Sequence, residues 1–176
     1  MLEKLFEIVN GIEVVDLGLP SGTLWARCNF GTECETDYGE YYQFGCFEPY
    51  KETKDNFNLF EFGSINGFTV PTKEQFRELL ENTEHMWTTI NGVRGYKFTS
   101  KVDETKYVFF PPAGICFDGS VRHVGSYGNY WSSSLYSSDF RDAYRLFFDS
   151  GAVNWHYIGT RRVGCSLRLV LNKNDK

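Results

Sequence analysis

Tyr127-Gly-Asn-Tyr-Trp-Ser-Ser-Ser134, Ala143-Tyr-Arg-Leu-Phe-Phe-Asp-Ser-Gly151 and Gly164-Cys-Ser-Leu-Arg-Leu-Val170 carry the pattern that decides the architecture. In the middle segment Tyr144, Leu146 and Phe148 alternate with Arg145 and Phe147, which is the period of a strand. The first set is expected in the core and the second outside it. Asp149-Ser150-Gly151 reads as a hairpin turn, with Gly151 supplying a left-handed residue. A short strand near Ala152–Val153 and a last one near Ser166–Val170 would complete a small antiparallel sheet. Loops between these strands would then carry Phe140, Arg141, Asp142, Trp155, His156, Tyr157 and Arg161.

The rest of the composition agrees with short strands and many turns. Aromatic residues make up 18% of the 176, beside 17 glycines, and that favours strands and loops over a helical bundle. The length fits one domain with a real core. A net charge of −5 argues against a nucleic-acid partner, which asks for a basic stripe. No apolar run approaches the roughly 18 residues of a membrane span. The start, Met1-Leu-Glu-Lys-Leu-Phe-Glu-Ile-Val9, is too charged for a secretory signal. The expectation is a cytoplasmic or phage-particle protein, or a cell-surface one whose leader was removed. Cys28, Cys34, Cys46, Cys116 and Cys165 are odd in number and unpaired in spacing, so mostly free thiols are expected.

Along the chain, residues 1–11 read as a lead-in ending at Asn10-Gly11, residues 12–171 as the single domain, and 172–176 as a polar tail. Strands are expected at Ile12–Leu17 and Thr23–Arg27 around a Pro20-Ser21-Gly22 turn, at Tyr41–Phe44 and at Tyr107–Phe110. Residues 48–66 are polar and irregular. Thr72 with Gln75 makes a capping box for a helix over 72–83, with Phe76, Leu79 and Leu80 as its apolar stripe. Asn91-Gly92 between Trp87–Ile90 and Gly95–Thr99 is the strongest hairpin signal.

Five stretches taken together resemble one bacterial family. They are Val15-Asp-Leu-Gly-Leu-Pro-Ser-Gly-Thr-Leu-Trp-Ala26, Asp37-Tyr-Gly-Glu-Tyr-Tyr42, Val70-Pro-Thr-Lys-Glu-Gln-Phe-Arg-Glu-Leu-Leu80, Asn91-Gly-Val-Arg-Gly-Tyr-Lys97 and Tyr130-Trp-Ser-Ser-Ser134. The family is the Fibrobacter major paralogous domain, common in gut Bacteroidetes, and the similarity runs over roughly residues 13–170. The resemblance implies an α+β, C-type lectin-like fold of short antiparallel strands with one or two helices. Trp131-Ser-Ser-Ser134 to Gly164-Cys-Ser-Leu-Arg168 is also similar to variable proteins of diversity-generating retroelements, whose C-terminal residues line a ligand-binding face. The sequence lacks Glu-Pro-Asn, Gln-Pro-Asp and Trp-Asn-Asp triplets. Three serines after Trp131 are poor ligands for a cation wanting about six to eight oxygens, so no metal or cofactor is expected.

Catalytic readings are weaker. Asp149-Ser150-Gly151 matches an aspartic-protease tripeptide, but that chemistry needs a second carboxylate of the kind and none exists. His85, His123 and His156 have no motif tying them to a thiol, and Cys165 stands alone where formylglycine-generating enzymes use a pair. Trp25, Trp87 and Trp131-Ser-Ser-Ser134 read as architecture, and Arg168 as a structural donor. The expected function is therefore non-catalytic recognition or adhesion, with a protein or glycan ligand. Its site would comprise Phe140, Arg141, Asp142, Arg145, Phe147, Trp155, His156, Tyr157 and Arg161, because Trp, Tyr and Arg dominate binding hot spots. The alternatives are a structural subunit of a surface or phage assembly and a formylglycine-generating-type enzyme.

Overall fold

The computed structural model describes residues 5–50 and 61–175. In chain order the strands are β1 (Glu7–Val9), β2 (Ile12–Asp16), β3 (Thr23–Ala26) and β4 (Tyr42–Gln43). After helix α1 (Lys73–Asn82) come β5 (Thr83–Ile90), β6 (Val93–Ser100), β7 (Tyr107–Phe110), β8 (Ile115–Phe117) and β9 (Ser120–Arg122). The last group is β10 (Gly128–Leu135), β11 (Asp142–Phe148), β12 (Val153–Thr160), β13 (Gly164–Cys165) and β14 (Val170–Asn172). They form four small sheets, ordered β1-β2-β3-β14, β10-β11-β12, β4-β13-β8-β9 and β5-β6-β7. The chain is thus mostly antiparallel strand with a single helix among the described residues, an α+β arrangement. The expected irregular segment 48–66 falls largely on residues outside those described.

Local chemistry explains most of these elements. Asn10-Gly11 and Asn91-Gly92 each place two successive residues at positive φ, the geometry of a tight hairpin turn. The first turn makes β1 a strand of the same sheet as β2, so the described part of the expected lead-in belongs to the fold. At α1 the capping box is complete: the Gln75 N–H donates to Thr72 Oγ1 (3.2 Å) and the Thr72 N–H to Gln75 Oε1 (2.9 Å). The Lys73 N–H donates to Ser134 Oγ (3.1 Å), which ties the helix start to β10.

Two cores flank the β10-β11-β12 sheet. On its inner face Tyr130, Leu146 and Phe148 pack with Phe76 and Leu79 of α1, Trp25, Phe98 and Phe110. Near one end of its outer face Trp131 joins Tyr42, Phe44, Cys165 and Leu167. Trp131 donates its Nε1–H to the Tyr42 carbonyl (2.9 Å) and meets Phe44 edge-on at 5.5 Å. Arg168 is fully buried. Its guanidinium donates to Asn29 Oδ1 and to the carbonyls of Ala26, Arg27 and Phe109, at 2.6–3.2 Å. Both residues are architectural, as their sequence context implies.

Four expectations need correction. The strand near Ala152–Val153 is the eight-residue β12, because Val, Trp, Tyr, Ile and Thr favour a half-buried pleated surface even where charge and aromaticity resemble a loop. The final strand is Val170–Asn172 rather than 166–170. Residues 163–171 are buried throughout, and Leu167 and Leu169 accept hydrogen bonds from Phe30, in the loop after β3, and from Ala26, the last residue of β3. Gly151 is not left-handed; the turn is set by Asp149 Oδ1, which accepts the N–H groups of Gly151 (2.8 Å) and Ala152 (3.0 Å). Tyr144 lies at the rim rather than in the core, under the Lys73 ammonium at 4.2 Å.

Candidate functional site

The site begins with strand parity. Leu146 and Phe148 point to the inner core, so Arg145 and Phe147 point outward. Phe148 reaches its position because Gly128 lies beneath it: a Cβ on Gly128 would stand 2.0 Å from the Phe148 ring. Across β10–β11, Asn129 opposes Phe147 and Trp131 opposes Arg145, so both face outward. Tyr127, one alternation before Asn129, also lies over Phe147.

Between β11 and β12 the register shifts. Arg145 opposes Tyr157 and Phe147 opposes Asn154, leaving Trp155 and His156 together opposite Leu146. Such a bulge re-aims side chains. Tyr157 returns to the outer face, whereas Trp155 packs on the inner side beneath Arg77 of α1, whose Cζ is 5.7 Å from its ring. The expectation that Trp155 and Tyr157 lie side by side is therefore corrected.

The outcome is a strip of rings across the outer face. His123 and Tyr127 are 4.6 Å apart between centroids, Tyr127 and Phe147 5.5 Å, and Phe147 and Tyr157 4.9 Å. The Arg145 Cζ stands 5.1 Å from the Tyr157 ring and 5.9 Å from that of Trp131. Tyr157 is 40% exposed, Phe147 and Tyr127 are half-buried, and His123 is exposed. Arg145 keeps only 9% of its surface. Its Nη1 approaches Cys165 Sγ at 3.9 Å, and its Nε is sealed from solvent without a partner. Burial pushes the Cys165 thiol up to about 11, against the opposing influence of Arg145. The thiol is neutral at physiological pH and does not balance the guanidinium.

The remaining predicted residues lie elsewhere. Phe140, 58% exposed, and Arg141 line a shallow hollow of about 640 Å³ formed by residues 135–141. Arg141 is engaged by Asp139 (Nη2–Oδ2 2.6 Å), whose carboxyl is held down at about 2 mainly by that hydrogen bond. Asp142 starts β11 opposite Thr160. Arg161 is buried; it donates Nη1 to the Phe140 carbonyl (3.0 Å) and lies 4.6 Å over Phe44. His156 is exposed beside Trp155, with its backbone N–H on Asn154 Oδ1 (2.9 Å). The fold thus brings together Arg145, Phe147 and Tyr157, adds His123 and Tyr127, and leaves the other six apart. The missed Tyr127 had a signal, since its parity opposes that of Gly128 and Tyr130; His123 had none.

No family model, curated protein or solved structure matches the chain.

Proposed function

We propose that the protein is a non-catalytic recognition domain that binds its ligand on the outer face of β10-β11-β12. The observation that carries this reading is the continuous strip His123–Tyr127–Phe147–Tyr157 ending at Arg145. Aromatic rings and a guanidinium on one rigid sheet are what binding hot spots are made of, and scattered single aromatics would not support it. Binding is favoured over catalysis because the strip offers rings, imidazole and guanidinium, without the convergent acid and base that chemistry demands.

The finer fold reading is a C-type lectin-like domain of the Fibrobacter major paralogous type, similar to retroelement-diversified variable proteins. Two features support it: the last strand, β14, returns to β3 in the sheet that holds the first strands, and the serines after Trp131 bond backbone and helix start. On this reading the sheets hold the strip while its side chains vary without unmaking the core, which suits adhesion or receptor recognition. The test is a glycan and protein array probed with the wild-type protein and with Phe147→Ala and Tyr157→Ala. Binding that both substitutions remove at unchanged melting temperature supports the reading. Binding that both leave intact contradicts it.

A further inference from the structure

Of the three buried arginines among the described residues, Arg145 and Arg168 are treated in opposite ways. Arg168 donates to four oxygen acceptors and leaves no N–H group unused for want of a partner. Arg145, nine-tenths buried, meets no oxygen among the described residues. Its contacts are a neutral thiol at Nη1 and the faces of Trp131 and Tyr157. Nε is sealed and unpaired, whereas Nη2 makes no hydrogen bond and is not sealed. Among the described residues no carboxylate pairs with Arg145, so the charge is held in a place of reduced solvation without a counter-ion. A structural arginine gains only its stacking on Trp131 and Tyr157 from such a setting. A binding arginine does, because an incoming anion meets a preoriented cation that water does not compete for fully.

The open group also limits the anion. With Nη1 on Cys165 and Nε closed, Arg145 presents one nitrogen, which suits one carboxylate oxygen. A phosphate or sulfate ester asks for several donors, and no second cation stands over the rings of the strip among the described residues. The Tyr157 ring, 5.1 Å from the Arg145 Cζ, and the Phe147 ring are tilted by 32° to each other and form a shallow apolar platform. The net charge of −5 disfavours densely anionic chains and leaves isolated carboxylates as the better fit.

Resting on the recognition reading above, we propose that Arg145 receives the carboxylate of an acidic sugar, a uronic or sialic acid, whose ring face lies on Phe147 and Tyr157. The test titrates the unaltered protein by NMR with glucuronic acid, galacturonic acid and N-acetylneuraminic acid, the uncharged amide of each, inorganic phosphate and an Asp-Tyr dipeptide. At least one acid is expected to bind tenfold or more tightly than its own amide, with Arg145→Gln lowering the acid to the amide's level. The acid–amide comparison needs no variant, so it stands even where Arg145→Gln fails to fold. The proposal is overturned where no acid binds, where acid and amide bind alike, or where phosphate or the dipeptide binds more tightly. Array binding that depends on Tyr157 while all three acids are silent removes this inference and leaves the recognition reading in place.

Discussion

The guanidinium of Arg145 occupies the space that a side chain on Gly159 would fill: a Cβ there would stand 2.7 Å from Cζ. Gly159 sits on β12, an outer strand of its sheet, and its φ is not left-handed, so glycine there supplies room for the guanidinium rather than a backbone conformation. Gly159→Ala is expected to push the guanidinium from its place and cost about 1–3 kcal/mol of stability as overpacking does. Urea unfolding measures it. A variant as stable as wild type would show that Arg145 moves aside freely and is not held.

The two faces of β11 are expected to respond differently to truncation. Leu146→Ala and Phe148→Ala should each cost about 2–5 kcal/mol, as fully buried side chains do. Phe147→Ala and Tyr157→Ala should stay within about 1 kcal/mol, in the range of surface changes. Trp155→Ala belongs with the first pair in direction, because its ring packs on the helix side. Equal losses for all five in chemical denaturation would contradict the assignment of faces.

Alkaline pH offers a test of the buried hydroxyls and thiols. Burial raises Cys165 from its usual 9.0 to about 11, and Tyr41, Tyr42 and Tyr130 from 10.0 to about 12. These groups are neutral in the folded state over a wider range than in the unfolded chain. Their contribution is therefore complete below about pH 9 and is lost as pH rises through 11 and 12. The urea midpoint should fall over that window, and phenolate absorbance should appear late and together with unfolding. A midpoint unchanged to pH 12 would contradict it.

All five cysteines are free, with Cys116 and Cys165 buried and the other three half-buried. Thiol titration should count five groups in denaturant. Under native conditions Cys165 should react last, since a thiol raised by burial offers little thiolate. A denatured count of three or fewer would show a bridge.

Much of this architecture was legible where a residue's own chemistry sets its conformation. Thr72 with Gln75, Asn91-Gly92 and the alternation Tyr144–Phe148 each announce an element locally. What was hidden depends on partners far away in sequence. The bulge that separates Trp155 from Tyr157 comes from the register of β12 on β11. The placing of His123 beside Tyr127 comes from the loop between β9 and β10, which no period describes. Asp118-Gly119, both at positive φ between β8 and β9, is a third local hairpin signal of the same kind as Asn91-Gly92.

The most direct test is the unfolding free energy of Arg145→Met set beside that of Arg168→Met. Removing Arg168 takes the donor from three buried acceptors and one part-buried one, at about 1–3 kcal/mol for each buried acceptor left without a partner, and should leave little folded protein. Removing Arg145 strands no oxygen and relieves an unpaired charge, while Met keeps contact with the flanking rings. Arg145→Met is thus expected to match wild type within about 1 kcal/mol or exceed it, while losing the ligand found on the array. A loss of about 3 kcal/mol or more in Arg145→Met, the cost of breaking a buried pair, would mean that Arg145 holds the fold together and is no part of a binding site.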